Sequence, residues 1–256
     1  MNLQGLRVII TGAAGGAGIT IAQRFHAAGA RVHVADIDEA AIEAVSDGDD
    51  GISASRCDCG NADQVARLFA EADTRLGGLD ALINNVGIAG PTAAAEDVSP
   101  EEWDRTIGVN LSGFFYCVRQ AIPRLKQTGG GSILNVSSTS ARTGLPMRLP
   151  YAVSKVGVLG MTETLARELG PFNIRVNSIL PGWINNARGN AVIERKAAEL
   201  GVDLEQMIAE NTEFISMRTR IEPEEIADMM IFLCSHQARH VSGQHIGVCG
   251  NAEYER

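Results

Sequence analysis

Short apolar segments alternate with helical segments along the whole chain. Seven apolar segments lie at residues 6–10, 31–35, 52–57, 79–83, 132–136, 175–180 and 244–248. Helical periodicity or helix-start signals mark residues 19–28, 62–76, 99–127, 151–169, 191–200 and 222–235. Strands that alternate with helices pair in parallel through right-handed crossovers. The pattern predicts an α/β fold, a Rossmann-type doubly wound parallel β-sheet of seven strands with helices on both faces.

The chain shows no internal boundary. Its 256 residues are compatible with one large domain or two small ones. Because no linker-like change in composition, repeat or low-complexity tract divides it, we predict a single domain over residues 1–256. The least regular region, residues 183–216, is predicted to be a lid segment over the substrate site.

Composition and charge exclude several classes of partner. A net charge of -9 disfavours nucleic acid and anionic membranes, and an aromatic content of 5% offers no stacking platform for bases. No apolar stretch approaches the roughly 20 residues of a spanning helix. Five cysteines without framework spacing predict reduced thiols and a cytoplasmic location. His236 and His240 lack a third ligand, so no metal site is predicted.

A glycine-rich turn, Thr11 to Gly18, follows the first strand and opens the first helix. Glycines let a backbone approach a pyrophosphate, and the N–H groups of the helix then face the anion. A glycine-rich turn without a ligand is the alternative. Asp36 ends the second strand, where a carboxylate accepts hydrogen bonds from the adenosine ribose and repels a 2′-phosphate. Its alternative role is a helix cap. With no Arg or Lys at Gly15 or Ile37, the residues favour NAD.

Tyr151 and Lys155 are four residues apart on a predicted helix, so they project from one face. An ammonium near a phenol favours the phenolate and lowers a pKa that is about 10 when unperturbed. Such a tyrosine can exchange the proton that accompanies hydride transfer. Alone, the pair fits an ordinary amphipathic helix equally well.

Together with other motifs, this pair makes the sequence similar to the short-chain dehydrogenase/reductase family over nearly its whole length. The matching motifs are the turn Thr11 to Gly18, Asp36, Asp58, Asn84-Asn85-Val86-Gly87, Asn110, Ser138 thirteen residues before Tyr151, Tyr151-x3-Lys155 and Pro181-Gly182. Three positions depart from the family pattern: Val86, the pair Asn185 and Asn186, and the ending Val248 to Asn251. None of these departures removes a catalytic residue.

The resemblance implies roles for individual residues. Tyr151 would be the general acid/base, Lys155 would hold the nicotinamide ribose and depress the pKa of Tyr151, Ser138 would bond the substrate oxygen, and Asn110 would position a relay water. Asp58 would lie against the adenine, Asn84 near the adenosine ribose, and Ile184 against the nicotinamide. The implied cofactor-binding residues are Gly12, Gly16, Gly18, Ile19, Asp36, Asp58, Cys59, Asn84, Gly87, Tyr151, Lys155, Pro181, Gly182 and Ile184.

These expectations describe an NAD-dependent oxidoreductase for a small secondary alcohol or ketone. Arginine recognises acidic groups, so a polar or acidic substrate is expected, although solvated surface arginines are the alternative. The predicted substrate-binding residues are Ser138, Arg142, Arg148, Trp183 and Arg188. A 3-oxoacyl thioester reductase, which in this family usually takes NADPH, and a non-catalytic dinucleotide-binding regulator are the alternative functions. The resemblance also implies a homo-oligomer, a tetramer or dimer built on the helices near residues 101–127 and 151–169.

Overall fold

One parallel sheet organises the computed structural model, which describes residues 1–48 and 51–252. Its seven strands have the order β3-β2-β1-β4-β5-β6-β7, and every pairing is parallel. They are β1 Arg7–Thr11, β2 Arg31–Asp36, β3 Ile52–Arg56, β4 Ala81–Asn84, β5 Gly131–Val136, β6 Ile174–Pro181 and β7 His245–Val248. The predicted fold class is confirmed.

Helices cover both faces of this sheet. Their bounds are α1 Gly16–Ala27, α2 Glu39–Gly48, α3 Ala62–Leu76, α4 Pro100–Ile107, α5 Gly113–Gln127, α6 Ser140–Thr143, α7 Leu149–Leu169, α8 Ala187–Leu200, α9 Leu204–Thr212 and α10 Pro223–Cys234. One core cluster includes side chains of α1, α2 and α10, and the other includes side chains of α3, α5 and α7. Apolar burial on both faces explains why the central strands β1 and β4 have continuous rather than alternating hydrophobic sequences.

The helices differ from the sequence predictions in three places. A π-helical turn, Gly108–Ser112, separates α4 from α5 inside the segment predicted as one helix. Helix α2 was not predicted. The lid segment contains two helices, and each begins at a side-chain cap: Asn186 accepts a hydrogen bond from the Gly189 amide, and Asp203 accepts bonds from two amides of α9.

The strand order places a crevice at one edge of the sheet. From β1 the chain builds outward to β2 and β3, and it then returns to place β4 on the other side of β1. Ligands of open α/β sheets bind at such a reversal, beyond the carboxyl ends of the strands. The ends of β1, β4, β5 and β6 all meet this edge, which therefore holds the candidate site.

Candidate active site

The glycine-rich turn is closely packed on one side and open on the other. Gly12 and Gly16 have φ values of 62° and 58°, in the left-handed region. A Cβ on Gly12 would lie 2.7 Å from Val86 Cα, and a Cβ on Gly18 would collide with the Gly12 carbonyl oxygen. Gly15, which precedes α1, has no side chain that could cap the helix. The amides at the start of α1 therefore remain available to an anion, which fits a dinucleotide pyrophosphate.

Asp36 connects the end of β2 to this turn. Its Oδ2 accepts a hydrogen bond from the Ala14 amide at 3.2 Å, and its Oδ1 accepts bonds from the Ile37 and Asp38 amides at 2.8 and 3.2 Å. Asp38, whose Oδ1 accepts a bond from the Ala41 amide at 3.2 Å, serves as the cap near the start of α2. The carboxylate of Asp36 is thus held beside the turn, at the position expected for a ribose-binding acid.

Sequence reasoning missed a cation near Asp36. Arg56 is the register partner of Asp36 on β3, and its Nε donates a hydrogen bond to the Ile37 carbonyl oxygen at 3.3 Å. The signal was present in the sequence, because Arg56 lies near the end of the third apolar segment, residues 52–57, and Asp36 directly follows the second, residues 31–35. A guanidinium here bears directly on the choice between NAD and NADP.

The side chain of Cys59, a predicted cofactor-binding residue, is part of the core, so a cofactor contact of this residue would have to come from its backbone. It is buried beside Cys57 and Cys117 in the core under α3 and α5. The Cys117 thiol, together with burial, raises the pKa of the Cys59 thiol well above its usual value. The adjacent Asp58 is ordered by its own turn, since its Oδ1 accepts a bond from the Gly60 amide at 2.9 Å.

Asn84 also differs from its predicted role near the adenosine ribose. Its side chain is fully buried inside the sheet, and its Nδ2 donates to Asn135 Oδ1 at 2.9 Å. The next residue, Asn85, reaches the glycine-rich turn instead, because its Nδ2 donates to the Gly12 carbonyl oxygen at 2.8 Å. Asn84 therefore joins β4 to β5, while Asn85 fixes the turn.

Tyr151 and Lys155 lie on the same side of α7. The Lys155 Nζ is 5.6 Å from the centre of the Tyr151 ring and donates a hydrogen bond to the Val136 carbonyl oxygen at 2.9 Å. A second ring, that of Phe114, lies 5.5 Å from the same nitrogen. Burial lowers the pKa of Lys155 from 10.5 to about 8, because a buried ammonium loses its hydration.

The Asn110 side chain is occupied by protein partners. Its Oδ1 accepts a hydrogen bond from the Ile88 amide at 2.8 Å, while its Nδ2 donates to the Ile88 carbonyl oxygen at 3.0 Å and to Ser154 Oγ at 3.2 Å. Ser154 Oγ in turn donates to the Tyr151 carbonyl oxygen at 2.6 Å. Asn110 thus ties the loop after β4 to the helix that carries Tyr151. It lies in the π-helical turn, a distortion frequently found at functional sites.

Tyr151 and Lys155 border a cavity of about 630 Å³ at the carboxyl edge of the sheet, whereas Asn110 is not among its lining residues. Nine of the predicted site residues line it: Gly87, Ser138, Arg148, Tyr151, Lys155, Pro181, Gly182, Trp183 and Ile184. Sequence reasoning did not assign Asn211, which lines the cavity from α9, or Asn186 as a pocket residue. In the sequence, Asn186 stands out only as a departure from the family pattern, and nothing singles out Asn211.

The three predicted substrate arginines have different locations. Arg148 lines the cavity. Arg142 does not line it, and its Nη2 donates instead to the His245 carbonyl oxygen at 2.8 Å on strand β7, which corrects its predicted role. The side chain of Arg188 lies outside the described part of the structure.

Two further properties hold for residues 1–48 and 51–252. They contain no group of three or more His, Cys, Asp and Glu side chains that could hold a metal ion. None of the helices in these ranges combines the length and the apolar character that crossing a membrane requires.

Ile19, a predicted cofactor residue in the first turn of α1, is partly buried against the core.

Known proteins resemble this chain over nearly all of its length. A family model described as enoyl-(acyl carrier protein) reductase matches residues 12–250. The chain is 34% identical to a 3-oxoacyl-[acyl-carrier-protein] reductase of Thermotoga maritima, over 98% of both proteins. It is 32% identical to a D-beta-hydroxybutyrate dehydrogenase of Rhizobium meliloti, over 94% of this chain and 96% of that protein.

Solved structures give the same result. A 3-ketoacyl-(acyl-carrier-protein) reductase from Brucella melitensis, complexed with NADH, is similar with a TM-score of 0.87 and 32% identity, over 99% of this chain and 100% of that one. A variant of the actinorhodin polyketide ketoreductase with NADPH has a TM-score of 0.90 and 29% identity, with both chains fully covered.

Proposed function

Because the chain belongs to the short-chain dehydrogenase/reductase family, we propose that it transfers hydride between NAD(H) and a small secondary alcohol or ketone with a polar or acidic group. The family binds a nicotinamide dinucleotide and acts on alcohols or ketones. The observation that carries the proposal is the shared cavity of Ser138, Tyr151 and Lys155, at the end of the sheet that also holds the glycine-rich turn.

Each side chain has a distinct task in the proposed reaction. During reduction, Tyr151 gives its phenolic proton to the carbonyl oxygen, and during oxidation the phenolate takes that proton back. Ser138 donates a hydrogen bond to the same oxygen and stabilises the negative charge that develops there. The Lys155 ammonium, 5.6 Å from the ring centre, places a positive charge beside the Tyr151 side chain. The bound dinucleotide supplies or accepts the hydride.

Asn110 is proposed to act through position. Its amide has three protein partners, so it holds Ile88 and Ser154 rather than presenting a free side chain to water. A relay water, if Asn110 binds one, has to be bound mainly through the backbone of the π-helical turn. The Asn110→Ala variant should therefore disturb the placement of Tyr151 as well as the proton relay.

NAD is proposed as the preferred cofactor. The carboxylate of Asp36 is fixed by three backbone amides, and such a charge repels the 2′-phosphate of NADP. Arg56, beside Asp36 on β3, is the feature that favours NADP. The Arg56 Nε already donates a hydrogen bond to a carbonyl oxygen, and the Arg56 side chain is exposed. The repulsion between the Asp36 carboxylate and a 2′-phosphate is therefore expected to decide the cofactor preference. The ratio of kcat/KM for NADH and NADPH decides between them.

The reaction is tested by nicotinamide absorbance across a panel of polar secondary alcohols and ketones. Tyr151→Phe should lower kcat by at least about 100-fold, because general acid–base catalysis contributes 10²–10⁴-fold. Tyr116→Phe, which removes a hydroxyl from a partly buried tyrosine of α5, is the matched control and should retain activity. A Tyr151→Phe enzyme as fast as the wild type would exclude the proposed mechanism.

Two alternative functions make different predictions. A 3-oxoacyl thioester reductase, the activity named for two of the similar proteins, should prefer acyl thioesters and NADPH. A non-catalytic regulator should bind NADH without turning over any member of the panel. Thioesters and both cofactors therefore belong in the same screen.

Self-association is proposed from an apolar face on α7. Leu149, Val153 and Val156 are exposed by 43%, 39% and 51%, and their spacing places them on one side of the helix. Phe115 on α5 is exposed by 53%. Such apolar groups are suited to contact a second copy. Sedimentation of the wild type and of Val156→Glu tests this, with a smaller assembly expected for the variant. The cytoplasmic location stays a prediction.

A further inference from the structure

Half of the Arg148 guanidinium has no partner among the described residues. Its Nε and Nη2 both donate to the Ala89 carbonyl oxygen, at 3.2 and 2.6 Å, which occupies one edge of the planar group. One face lies over the Tyr151 ring, with Cζ 5.3 Å from the ring centre. The other edge, which carries Nη1, keeps its N–H groups for a ligand. A guanidinium edge of this kind suits the two oxygens of a carboxylate.

The guanidinium is held in a fixed position. Met147, the residue before Arg148, has a φ of 65°. The Met147 carbonyl oxygen accepts a hydrogen bond from the Ala93 amide at 2.9 Å. The Ala89 carbonyl then orients the arginine head itself. Two contacts therefore attach the start of α7 to the loop after β4. A donor held in this way loses little conformational entropy when it binds a ligand.

The cavity carries positive charge in a negatively charged protein. Among the described residues that line it, Arg148 and Lys155 are the charged side chains, and no aspartate or glutamate accompanies them. The whole chain has a net charge of -9, so this local balance is opposite to the average. A cavity lined by one sign of charge concentrates ligands of the other sign.

We propose that the Nη1 edge of Arg148 binds a carboxylate on the substrate, so that the enzyme acts on short-chain hydroxy acids and oxo acids as free acids. This inference rests on the proposed function. In the oxidation, the C–H hydride passes to NAD⁺ and the O–H proton passes to Tyr151. The alcohol thereby becomes a ketone, and the carboxylate is unchanged.

The short distance between Arg148 and the ring of Tyr151 limits the substrate. A single substrate molecule must place its carboxylate on the Arg148 guanidinium and its reacting oxygen on the Tyr151 phenol. These two side chains are neighbours, so the two groups of the substrate must be close together. The carboxylate is therefore one or two bonds from the reacting carbon. We expect 2-hydroxy or 3-hydroxy acids to fit, and acids with a more distant hydroxyl to fit less well.

Positional isomers test this arrangement at constant carbon number. The panel contains 2-, 3- and 4-hydroxypentanoate with their methyl esters, assayed with the full-length enzyme and saturating NAD⁺. We expect kcat/KM for the 2- or 3-isomer to exceed that of its ester by at least about tenfold, as the loss of a charge-assisted hydrogen bond implies. The 4-isomer should show a smaller preference.

Variants connect the preference to Arg148. Arg148→Gln should abolish the acid-to-ester preference, mainly through a higher KM for the acid, and Arg148→Lys should restore only part of it because lysine lacks the fork. Arg142→Gln is the matched control, because that arginine lies outside the cavity, and it should keep the full preference. Thermal unfolding and NADH binding verify that each variant is folded.

A binding measurement separates this inference from the proposed reaction. Pentanoate, which has no hydroxyl group, should bind the NADH-loaded protein in calorimetry, and Arg148→Gln should weaken that binding by about tenfold or more. Turnover of esters or neutral ketones without any preference for acids, or pentanoate binding that is equal in Arg148→Gln, overturns the carboxylate site and leaves the reaction standing. Pentanoate binding without turnover of any compound overturns the reaction instead.

Discussion

Replacing Lys155 with methionine should abolish activity and stabilise the protein. The ammonium is 3% exposed, and its hydrogen-bond partner in the described structure is the Val136 carbonyl oxygen. Burial lowers its pKa from 10.5 to about 8. The lowered pKa means that charged Lys155 is less favourable in the folded state than in the unfolded state, so the charge lowers the free energy of unfolding.

The magnitude follows from the same values. A pKa lowered from 10.5 to about 8 corresponds to about 3 kcal/mol of unfavourable free energy when the lysine is charged in both states. Methionine fills a similar volume without a charge, but it leaves the Val136 carbonyl oxygen without its donor, at a cost of about 1–3 kcal/mol. The net stabilisation expected for Lys155→Met at pH 7 is therefore about 0–2 kcal/mol, the difference between these two values.

The dependence on pH gives the sharper test. Below pH 8 the lysine is charged in both states and the penalty is complete, and it disappears as the pH rises to 10.5, where the unfolded lysine also loses its proton. Urea unfolding of the cofactor-free protein, at one protomer concentration, should show the Lys155→Met advantage at pH 7 and its loss by about pH 10. A variant that is less stable than the wild type at pH 7, with no trend toward pH 10, would refute the reasoning.

Three further predictions concern the cofactor site and the core. Asp36→Ala should raise the ratio of kcat/KM for NADPH over NADH by at least about tenfold, since it removes the charge that repels a 2′-phosphate; an unchanged ratio in steady-state kinetics would count against this acid as the selector. Gly12→Ala should weaken NADH binding in fluorescence titration by at least about tenfold, because the new Cβ would lie 2.7 Å from Val86 Cα at φ 62°. Gly5→Ala, at φ 77° with no atom within 4 Å, is its control and should bind NADH normally. His33, whose pKa burial lowers from 6.5 to about 4, contributes stability that is fully present above pH 6.5 and is lost as the pH falls to 4. The His33→Gln variant should lack about 1.4 kcal/mol per pH unit of that slope in urea unfolding, and identical slopes would contradict the buried neutral histidine.

The sheet could be predicted because its central strands, such as β1 and β4, are buried on both faces and give continuous apolar runs. The alternation of seven strand segments with helices then indicates a parallel sheet. Helix α2 was harder to predict, because its described side chains in the core cluster are Ile42 and Val45, with Ala41 packed against them, and these are too few repeats for a helical period to be recognised. The π-helical turn has no sequence signal in the helical pattern around it.

The direction of single side chains at strand ends was beyond the sequence. Asn84 and Asn85 are equally polar neighbours, yet one pairs with Asn135 inside the sheet and the other holds the glycine-rich turn. Register with β5 decides which side chain turns inward, and a sequence does not give register. Tyr151 and Lys155 are different, because the spacing of four residues on a helix already places them on one face.

The cavity has an excess of positive charge, carried by Lys155 and Arg148. This excess links the stability cost of burying Lys155 to the substrate proposed for Arg148. A carboxylate beside Lys155 would raise its pKa and remove the stability penalty, but it would also weaken the positive field at Tyr151. The described cavity lining contains no such carboxylate. Placing the buried Lys155 and the partly buried Arg148 in one cavity without an acid leaves an anionic group as the ligand that best completes the charge balance, and the burial of Lys155 costs stability. On this argument, an acidic substrate is itself the missing counter-ion, so its binding depends on the same uncompensated charge that costs the protein stability.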